Sequence, residues 1–402
     1  MNKHWGILGV VLCGALAILA SCGGGGGVGG GGAGGGSTQY DYTHGLAACP
    51  AGNAQFSVPP LDLDRVQYWE PLGHQSPPAH VFPTDHQYVV LAQTDPATFS
   101  GPPTLPLMAP ADVRIYAISA STVAGITDYS VYFMPCGDLQ ARFGHVTSLS
   151  AEVLAAAGSL NVACTTYQPA PGSTVTSCNS NDFKLDVKAG AAIGTAKGVD
   201  FWLRDRRVVP LHFANPGHFP VGDTVFDMFH TVGASDYFTT SVSSRIAPKI
   251  GGPDPRTYIG STYRTKTPLS GTIGVDVDGT AMGHWFNAAQ AYPPESYHAS
   301  LVRDSLLPDN LQVFSIGVSQ PNTGAILGTF TPTTSGDINR SFDGVTADGN
   351  TYCYQVSWHQ GSVFLLKMVN ATTLRLEFRD GPTGCVQHTP YTFTANAFDY
   401  VR

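Results

Sequence analysis

Short runs of β-branched and aromatic residues, broken at close intervals by Gly, Pro and Asp, recur through most of this 402-residue sequence. Such runs occupy residues 88–92, 113–118, 129–133 and 183–187. Their length and spacing are typical of strands in an antiparallel all-β protein. Charged residues make up only 12% of the chain, whereas long surface helices normally carry a charged face. We therefore predict an all-β, mostly antiparallel fold with short helices.

Two segments favour those short helices. Residues 150–157 are rich in Ala, begin with a serine that can cap the first turn, and are followed by a glycine that can end the helix. Residues 227–238 are a second candidate. A turn-rich stretch at 248–255 indicates a domain boundary. We predict one β domain at 58–250 and a second, a small β-sandwich or barrel, at 255–402.

The first 21 residues carry one charged side chain, Lys3, followed by an apolar run that ends in Leu-Ala-Ser-Cys. This is the pattern of a secretory signal. Its end resembles the lipobox of bacterial lipoproteins, in which the cysteine, here Cys22, is lipidated. Residues 22–37, which are mostly glycine, would form the lipid anchor and a flexible tether. We predict a protein anchored by lipid to the cell membrane or outer membrane, facing the periplasm or the surface.

Six cysteines remain once the signal and the lipidation site are set aside. An even number of cysteines in an exported protein indicates disulfides. Fifteen pairings are possible, and proximity along the chain favours Cys164–Cys178 and Cys353–Cys385, in which case Cys49 would pair with Cys136. No Cys-x-x-Cys motif occurs, so the sequence supports neither a thioredoxin site nor a zinc ribbon.

A Pro-rich segment directly before a predicted strand contains His74, His80, Asp85 and His86. Proline restricts the backbone, so these side chains would be presented with little further loss of entropy. Imidazole and carboxylate groups are the ligands of catalytic zinc. The segment is a candidate metal site, and the alternative is a set of loop histidines that bond to the backbone.

Four later segments follow in the order found in the lysostaphin/LytM-type zinc endopeptidases, the Gly-Gly peptidases of cell walls. They are Ala-Pro-Ala-Asp-Val at 109–113, Phe-Gly-His-Val-Thr-Ser-Leu at 143–149, Val-Lys-Ala-Gly-Ala-Ala-Ile-Gly at 187–194 and Gly-Val-Asp-Phe at 198–201. With the His-Asp pair before them, the resemblance covers about residues 58–210. It implies a β domain of the duplicated-hybrid-motif type.

The resemblance also implies a set of site residues. Zinc would be held by His80, by Asp85 or His86, and by Asp200, while His145 would orient water or stabilise the oxyanion. This chain departs from the family motif in two places. The first His-to-Asp spacing is one residue longer, and the final His-x-His is replaced by Gly198 and Asp200.

Three functional hypotheses follow. The first is a cell-envelope lipoprotein whose divergent metallopeptidase-like domain binds peptidoglycan or an envelope protein without hydrolysing it. The second is an active zinc-dependent peptidoglycan or peptide hydrolase, and the third is a surface interaction protein acting through its C-terminal β domain. Nucleic acid is not an expected partner, because the chain has only 21 Lys and Arg and a net charge of −8.

Overall fold

The computed structural model describes residues 43–402 except 94–100, 124, 159–163, 171–172, 182, 220–227, 275, 293, 322, 358, 360, 382–383 and 387–389. The predicted signal sequence, Cys22 and the glycine tether lie outside the described residues. Within the described ranges, no helix has the length and apolar character needed to cross a membrane.

Ten strands form one antiparallel sheet in the first half of the described chain. They are β1 (Val66–Glu70), β2 (His86–Leu91), β3 (Leu105–Met108), β4 (Val113–Val123), β5 (Ile126–Cys136), β6 (Leu139–Leu149), β7 (Cys164–Ala170), β8 (Ser173–Ser180), β9 (Leu185–Val187) and β10 (Ala192–Asp205). Eight of them follow the order β1-β2-β10-β6-β5-β4-β8-β7, while β3 pairs with β10 and β9 pairs with β4. Strands that are distant in sequence, β2 and β10, therefore become neighbours at the centre of the sheet.

One face of this sheet forms the main hydrophobic core. Phe133, Phe143 and Phe201, from β5, β6 and β10, are fully buried there. The ring centroids of Phe143 and Phe201 lie 4.6 Å apart. Because successive side chains of a strand point to opposite faces, Arg142 and Asp200 project from the other face of the same strands. The second face therefore carries polar groups.

Two α-helices accompany the strands in the part of the chain that the structure describes. Helix α1 (Ala151–Ala157) confirms the helix predicted at 150–157, and the Ser150 side chain caps it by accepting a hydrogen bond from the Val153 amide at 3.3 Å. The helix expected at 227–238 is not formed as one element. Its described part holds two single 3₁₀ turns, Met228–His230 and Ala234–Tyr237. Gly233 lies between them, and glycine disfavours a continuous helix. Helix α2 (Thr240–Ile246) follows.

Two four-stranded antiparallel sheets form most of the remaining chain, after a short pair made by β11 (Gly251–Pro253) and β12 (Ser261–Tyr263). The first contains β13 (Gly283–Trp285), β14 (Ala299–Arg303), β15 (Gln312–Ile316) and β16 (Ile326–Phe330). The second contains β17 (Tyr352–Gln355), β18 (Val363–Asn370), β19 (Thr373–Arg379) and β20 (Phe398–Val401). Phe314 of the first sheet stacks on Phe364 of the second, with ring centroids 4.3 Å apart, so the two sheets share one core. The predicted all-β class with short helices is confirmed.

Disulfides join the cysteines in the expected pairs. They are Cys49–Cys136, Cys164–Cys178 and Cys353–Cys385. The first ties the segment before β1 to the end of β5, and the second joins β7 to β8. The third fastens the loop after β19 to β17. The second disulfide therefore reinforces two strands that are already paired, whereas the first and third each fasten a segment outside the sheets to a strand.

Candidate metal centre

The polar face of the ten-stranded sheet carries a row of side chains from neighbouring strands. Glu70 of β1 pairs with Tyr88 of β2, Tyr88 pairs with Asp200 of β10, and Asp200 pairs with Gly144 of β6. Directly paired residues place their side chains on the same face of a sheet. His86, two residues before Tyr88 on β2, projects from that face as well. The register therefore brings His86, Tyr88 and Asp200 together.

The loop between β1 and β2 folds over this row. Ser76 and His80 exchange two backbone hydrogen bonds of 2.8 and 3.0 Å, which fold the Pro-rich segment back on itself. The Thr84 amide donates to the His74 carbonyl at 2.9 Å and holds the base of the loop. As a result, the His80 ring lies against the His86 ring, with centroids 5.3 Å apart.

His145 reaches the same place from a bulge in β6. Gly144 and His145 together stand opposite a single residue of β5, between the pairs Tyr129–Val146 and Val131–Phe143. The His145 backbone has a φ of +59°, a left-handed conformation that few non-glycine residues adopt. Bulges of this kind redirect a side chain and are over-represented beside active sites. This one turns the imidazole toward Asp200.

Asp200 is the centre of the cluster. Its Oδ2 atom lies 3.2 Å from His145 Nε2 and 3.6 Å from His86 Nε2. The other nitrogen of His145, Nδ1, lies 2.7 Å from Asp128 Oδ2. Gly144 leaves room for this carboxylate, because a Cβ atom there would stand 3.2 Å from Asp200 Oδ2. The Asp200 side chain is 7% exposed and that of His145 is 36% exposed, so the site opens to solvent on the His145 side.

Asp85 and His86 have different roles. The Asp85 Oδ1 atom lies 3.0 Å from His86 Nδ1, and its Oδ2 accepts hydrogen bonds from Trp202 Nε1 at 2.8 Å and from Arg204 Nη2 at 3.1 Å. Asp85 therefore stands behind His86 and orients it. Of the two residues that the sequence left open as a ligand, His86 is the one that faces Asp200.

Four of the predicted site residues thus meet at one place, namely His80, His86, His145 and Asp200. They come from a loop, two strands and a bulge. His74, from the same Pro-rich segment, instead turns toward Glu70, with 3.8 Å between Nδ1 and Oε2.

The protonation states inside the cluster differ from one residue to the next. Burial and the adjacent His86 imidazole lower the pKa of His80 to about 3, so this ring is neutral at neutral pH. Burial raises the pKa of Asp200, but the charges of His145 and His86 outweigh it and hold the pKa below its usual range. The Asp200 carboxylate raises the pKa of His145 well above its ordinary value, against the effect of burial and with help from Asp128. His80 and Asp200 therefore have the protonation states that metal ligands need.

Two buried atoms of the sequence-predicted ligands have no hydrogen-bond partner among the described residues, His86 Nε2 and Asp200 Oδ1, and Asp128 Oδ1 beside His145 is a third such atom. When His86 donates its Nδ1 proton to Asp85, its Nε2 atom is an acceptor. An unprotonated imidazole nitrogen then faces a carboxylate, and either a proton on Nε2 or a metal cation between the two groups would satisfy both. The separation of 3.6 Å between Nε2 and Oδ2 is close to the ~3.3 Å between two ligands of tetrahedral zinc with bonds of about 2.0–2.1 Å.

The donor set fits zinc by chemistry, since two imidazoles and one carboxylate are ligands of catalytic zinc. As the side chains stand, no group of three or more His, Cys, Asp or Glu within the described part of the chain is arranged to hold a metal ion. The fit is therefore one of residue type, protonation and two unsatisfied atoms, with the His80 ring lying against that of His86.

Two contributors to the site lie outside the residues singled out from the sequence, Asp128 and Gly144. Asp128 is on β5 and Gly144 is the first residue of the bulge. The Gly-His dipeptide at 144–145 is a weak signal of a bulge, because glycine inside a strand often marks one. No sequence motif around Asp128 predicts that this residue belongs to the site.

No protein-family model, curated protein or solved structure matches this chain. The resemblance to the lysostaphin/LytM-type peptidases remains a prediction from sequence motifs. Function is inferred below from the geometry of the cluster.

Proposed function

We propose that the protein is a metal-dependent hydrolase of peptide bonds in the cell envelope, with zinc held by His80, His86 and Asp200. The observation that carries this proposal is the convergence of these side chains with His145 from distant parts of the chain. The buried, unpartnered His86 Nε2 atom supports it, because a metal ion between this atom and Asp200 Oδ2, which lie 3.6 Å apart, would satisfy it.

Zinc bound in such a site polarises a carbonyl group and lowers the pKa of its bound water. The chain itself supplies the proton transfers. His145 carries a proton at neutral pH because Asp200 and Asp128 stabilise its charged form. Its side chain is 36% exposed, against 7% for Asp200 and 3% for His86. Both of its nitrogens contact carboxylates, so it can donate a hydrogen bond to the oxyanion of the substrate or a proton to the leaving amine once Nε2 leaves Asp200. Asp128 fixes the orientation of the ring.

A second candidate function is binding of peptidoglycan or an envelope protein without hydrolysis. The observation that favours it is Gly198, which stands where the resembling family has a histidine and therefore brings no catalytic side chain. His145 also lies between two carboxylates, within 2.7 Å of Asp128 and 3.2 Å of Asp200. These contacts alone would stabilise the charged ring without any catalytic role.

Export and lipid anchoring belong to the same proposal. Three disulfides are typical of a protein that folds outside the reducing cytoplasm. We infer that Cys22 carries the lipid and that the chain reaches peptidoglycan from the membrane surface. A metal site open on the His145 side fits access by a substrate from the surroundings.

Hydrolysis of purified peptidoglycan tests the proposal. Wild-type protein with added zinc should release soluble fragments, and EDTA should stop the release. His86→Ala should lose more than a hundredfold in rate, since it removes a metal ligand, whereas His212→Ala should not change the rate. His212 is a matched control because it also pairs with a carboxylate, at 2.9 Å from Asp278, but on an exposed surface. Tight binding of peptidoglycan with no fragments released would favour the second candidate.

A further inference from the structure

Tyr88 of β2 lies between two carboxylates of the polar face. It is paired directly with Asp200 of β10 on one side and with Glu70 of β1 on the other. Directly paired residues place their side chains on the same face of a sheet, and so do residues two apart on one strand. The partly buried Tyr88 ring therefore stands beside Asp200 and next to His86, on the face that carries the metal centre.

The rings of Tyr88, His86 and His80 contact one another in every pair. The centroids of Tyr88 and His86 lie 4.9 Å apart, those of His86 and His80 lie 5.3 Å apart, and those of Tyr88 and His80 lie 6.3 Å apart. The ring planes meet at 72°, 70° and 68°, so each contact is edge-to-face. Aromatic rings prefer this arrangement at such distances. Each ring therefore restricts the orientation of the other two.

A fourth ring reaches Tyr88 from the base of the loop between β1 and β2. The His74 ring lies edge-on to Tyr88, with centroids 5.9 Å apart and planes at 84°. The Thr84 amide donates to the His74 carbonyl at 2.9 Å and fixes the backbone there. Two imidazoles of the Pro-rich loop, those of His74 and His80, therefore rest on the ring of Tyr88.

His80 depends on these rings more than the other imidazoles of the metal centre do. Asp85 Oδ1 holds His86 at 3.0 Å, and Asp128 Oδ2 holds His145 at 2.7 Å. Within the described ranges, the His80 imidazole makes no hydrogen bond or ion pair that would orient it, and it contacts the rings of His86 and Tyr88. Its backbone bonds to Ser76 fix the loop but leave the side chain free to turn.

We propose that Tyr88 is a positioning residue of the metal centre, whose ring holds the His80 imidazole against His86. The inference rests on the proposed function in that zinc is the ion these imidazoles would bind. The contacts are made by the aromatic ring of Tyr88, so its hydroxyl group is not needed for this role. Tyr88 acts through His80 and does not bind the metal itself.

Histidine NMR of the full-length protein in EDTA tests the ring contacts without any metal. His80→Ala and His86→Ala assign the two imidazole signals. The wild type should show a nuclear Overhauser contact between the ring protons of His80 and His86. Tyr88→Phe should keep this contact, because the ring remains. Tyr88→Leu should lose it, because no flat ring holds His80. Tyr88→Met, which also lacks a ring, replaces Tyr88→Leu if that variant does not fold.

Competition with a chromophoric chelator measures the consequence for zinc binding. Tyr88→Leu should lower zinc affinity about 10–100-fold, as is typical when a group that orients a ligating histidine is removed. Tyr88→Phe should keep the wild-type affinity. In a His80→Ala background, Tyr88→Leu should change zinc affinity little, because the residue through which Tyr88 acts is absent. Tyr263→Leu is the control, since Tyr263 contacts the Tyr68 ring from β12, outside the ten-stranded sheet.

A contact between His80 and His86 that survives in folded Tyr88→Leu would overturn this inference. So would a loss of zinc affinity that is the same with and without His80. The NMR result separates the inference from the proposed function. A protein that loses the contact in Tyr88→Leu yet binds no zinc in the wild type supports Tyr88 as the residue that positions His80 and contradicts the proposed hydrolase.

Discussion

Replacing Asp85 with Asn should weaken zinc binding even though Asp85 is not a proposed ligand. Its carboxylate makes three contacts of 2.8–3.1 Å, to Trp202 Nε1, Arg204 Nη2 and His86 Nδ1. The third contact orients His86 so that Nε2 faces Asp200. Asn keeps one oxygen acceptor but loses the negative charge, so the contacts to His86 and Arg204 weaken together.

The expected loss of zinc affinity in Asp85→Asn follows from these contacts. Removing a carboxylate that orients a ligating histidine typically costs 10–100-fold in metal affinity. At 1.4 kcal/mol per factor of ten, this corresponds to about 1.4–2.8 kcal/mol of zinc binding free energy. That range agrees with about 1.5–3 kcal/mol for a hydrogen bond to a charged group. Competition with a chromophoric chelator measures the change directly.

The control is Asp186→Asn. Asp186 also binds an arginine, Arg114, with two contacts of 2.7 Å, but it is exposed and distant from the cluster. Its replacement should leave zinc affinity unchanged. If Asp85→Asn binds zinc as tightly as Asp186→Asn, then Asp85 does not orient a ligand and the assignment of His86 fails.

The fold and the site predict three further results. Replacing Cys49 and Cys136 with Ala should lower the free energy of unfolding by about 4–5 kcal/mol in urea titrations, because this disulfide spans 87 residues. Burial lowers the pKa of His298 to about 4, from a usual value of 6.5. The folded protein therefore binds a proton on His298 less readily than the unfolded chain does. The contribution to the free energy of unfolding is complete above pH 6.5 and is lost as the pH falls toward 4. Urea titrations should show that stability falling by about 3 kcal/mol on acidification to pH 4. Gly144→Ala should lower zinc affinity about tenfold in chelator competition, because its Cβ would crowd Asp200.

Matched variants check these results. The Cys164–Cys178 disulfide spans only 14 residues and should contribute about 3 kcal/mol, so a larger loss there would contradict the loop argument. In His298→Asn the acid-induced loss should shrink, and an unchanged pH profile would exclude His298 as its source. Gly324→Ala adds a Cβ in open space and should leave zinc affinity unchanged.

Features set by neighbouring residues could be predicted from the sequence. Helix α1 is defined by an alanine-rich run between a capping serine and Gly158, which has a φ of +65°. The strand class follows from short β-branched runs. Two disulfides follow from proximity along the chain, which leaves Cys49 to pair with Cys136. The helix predicted at 227–238 was wrong in its described part, although Gly233 between the two turns is a local signal against a continuous helix.

Features set by strand register could not be predicted in the same way. Whether Asp85 or His86 faces Asp200 depends on the pairing of Trp202 with His86, since neighbouring residues point to opposite faces. Asp128 reaches His145 only because a bulge turns the imidazole. Glu70 and Asp304 line one cleft although Glu70 is in β1 and Asp304 follows β14, a strand of another sheet.

The metal content of the purified protein tests the central claim most directly. After incubation with zinc and gel filtration, elemental analysis should find about one zinc ion per chain in the wild type. It should find almost none in His86→Ala and Asp200→Ala, and about one in His212→Ala. Wild-type protein without bound zinc, or equal zinc in all four proteins, would contradict a metal centre at His80, His86 and Asp200.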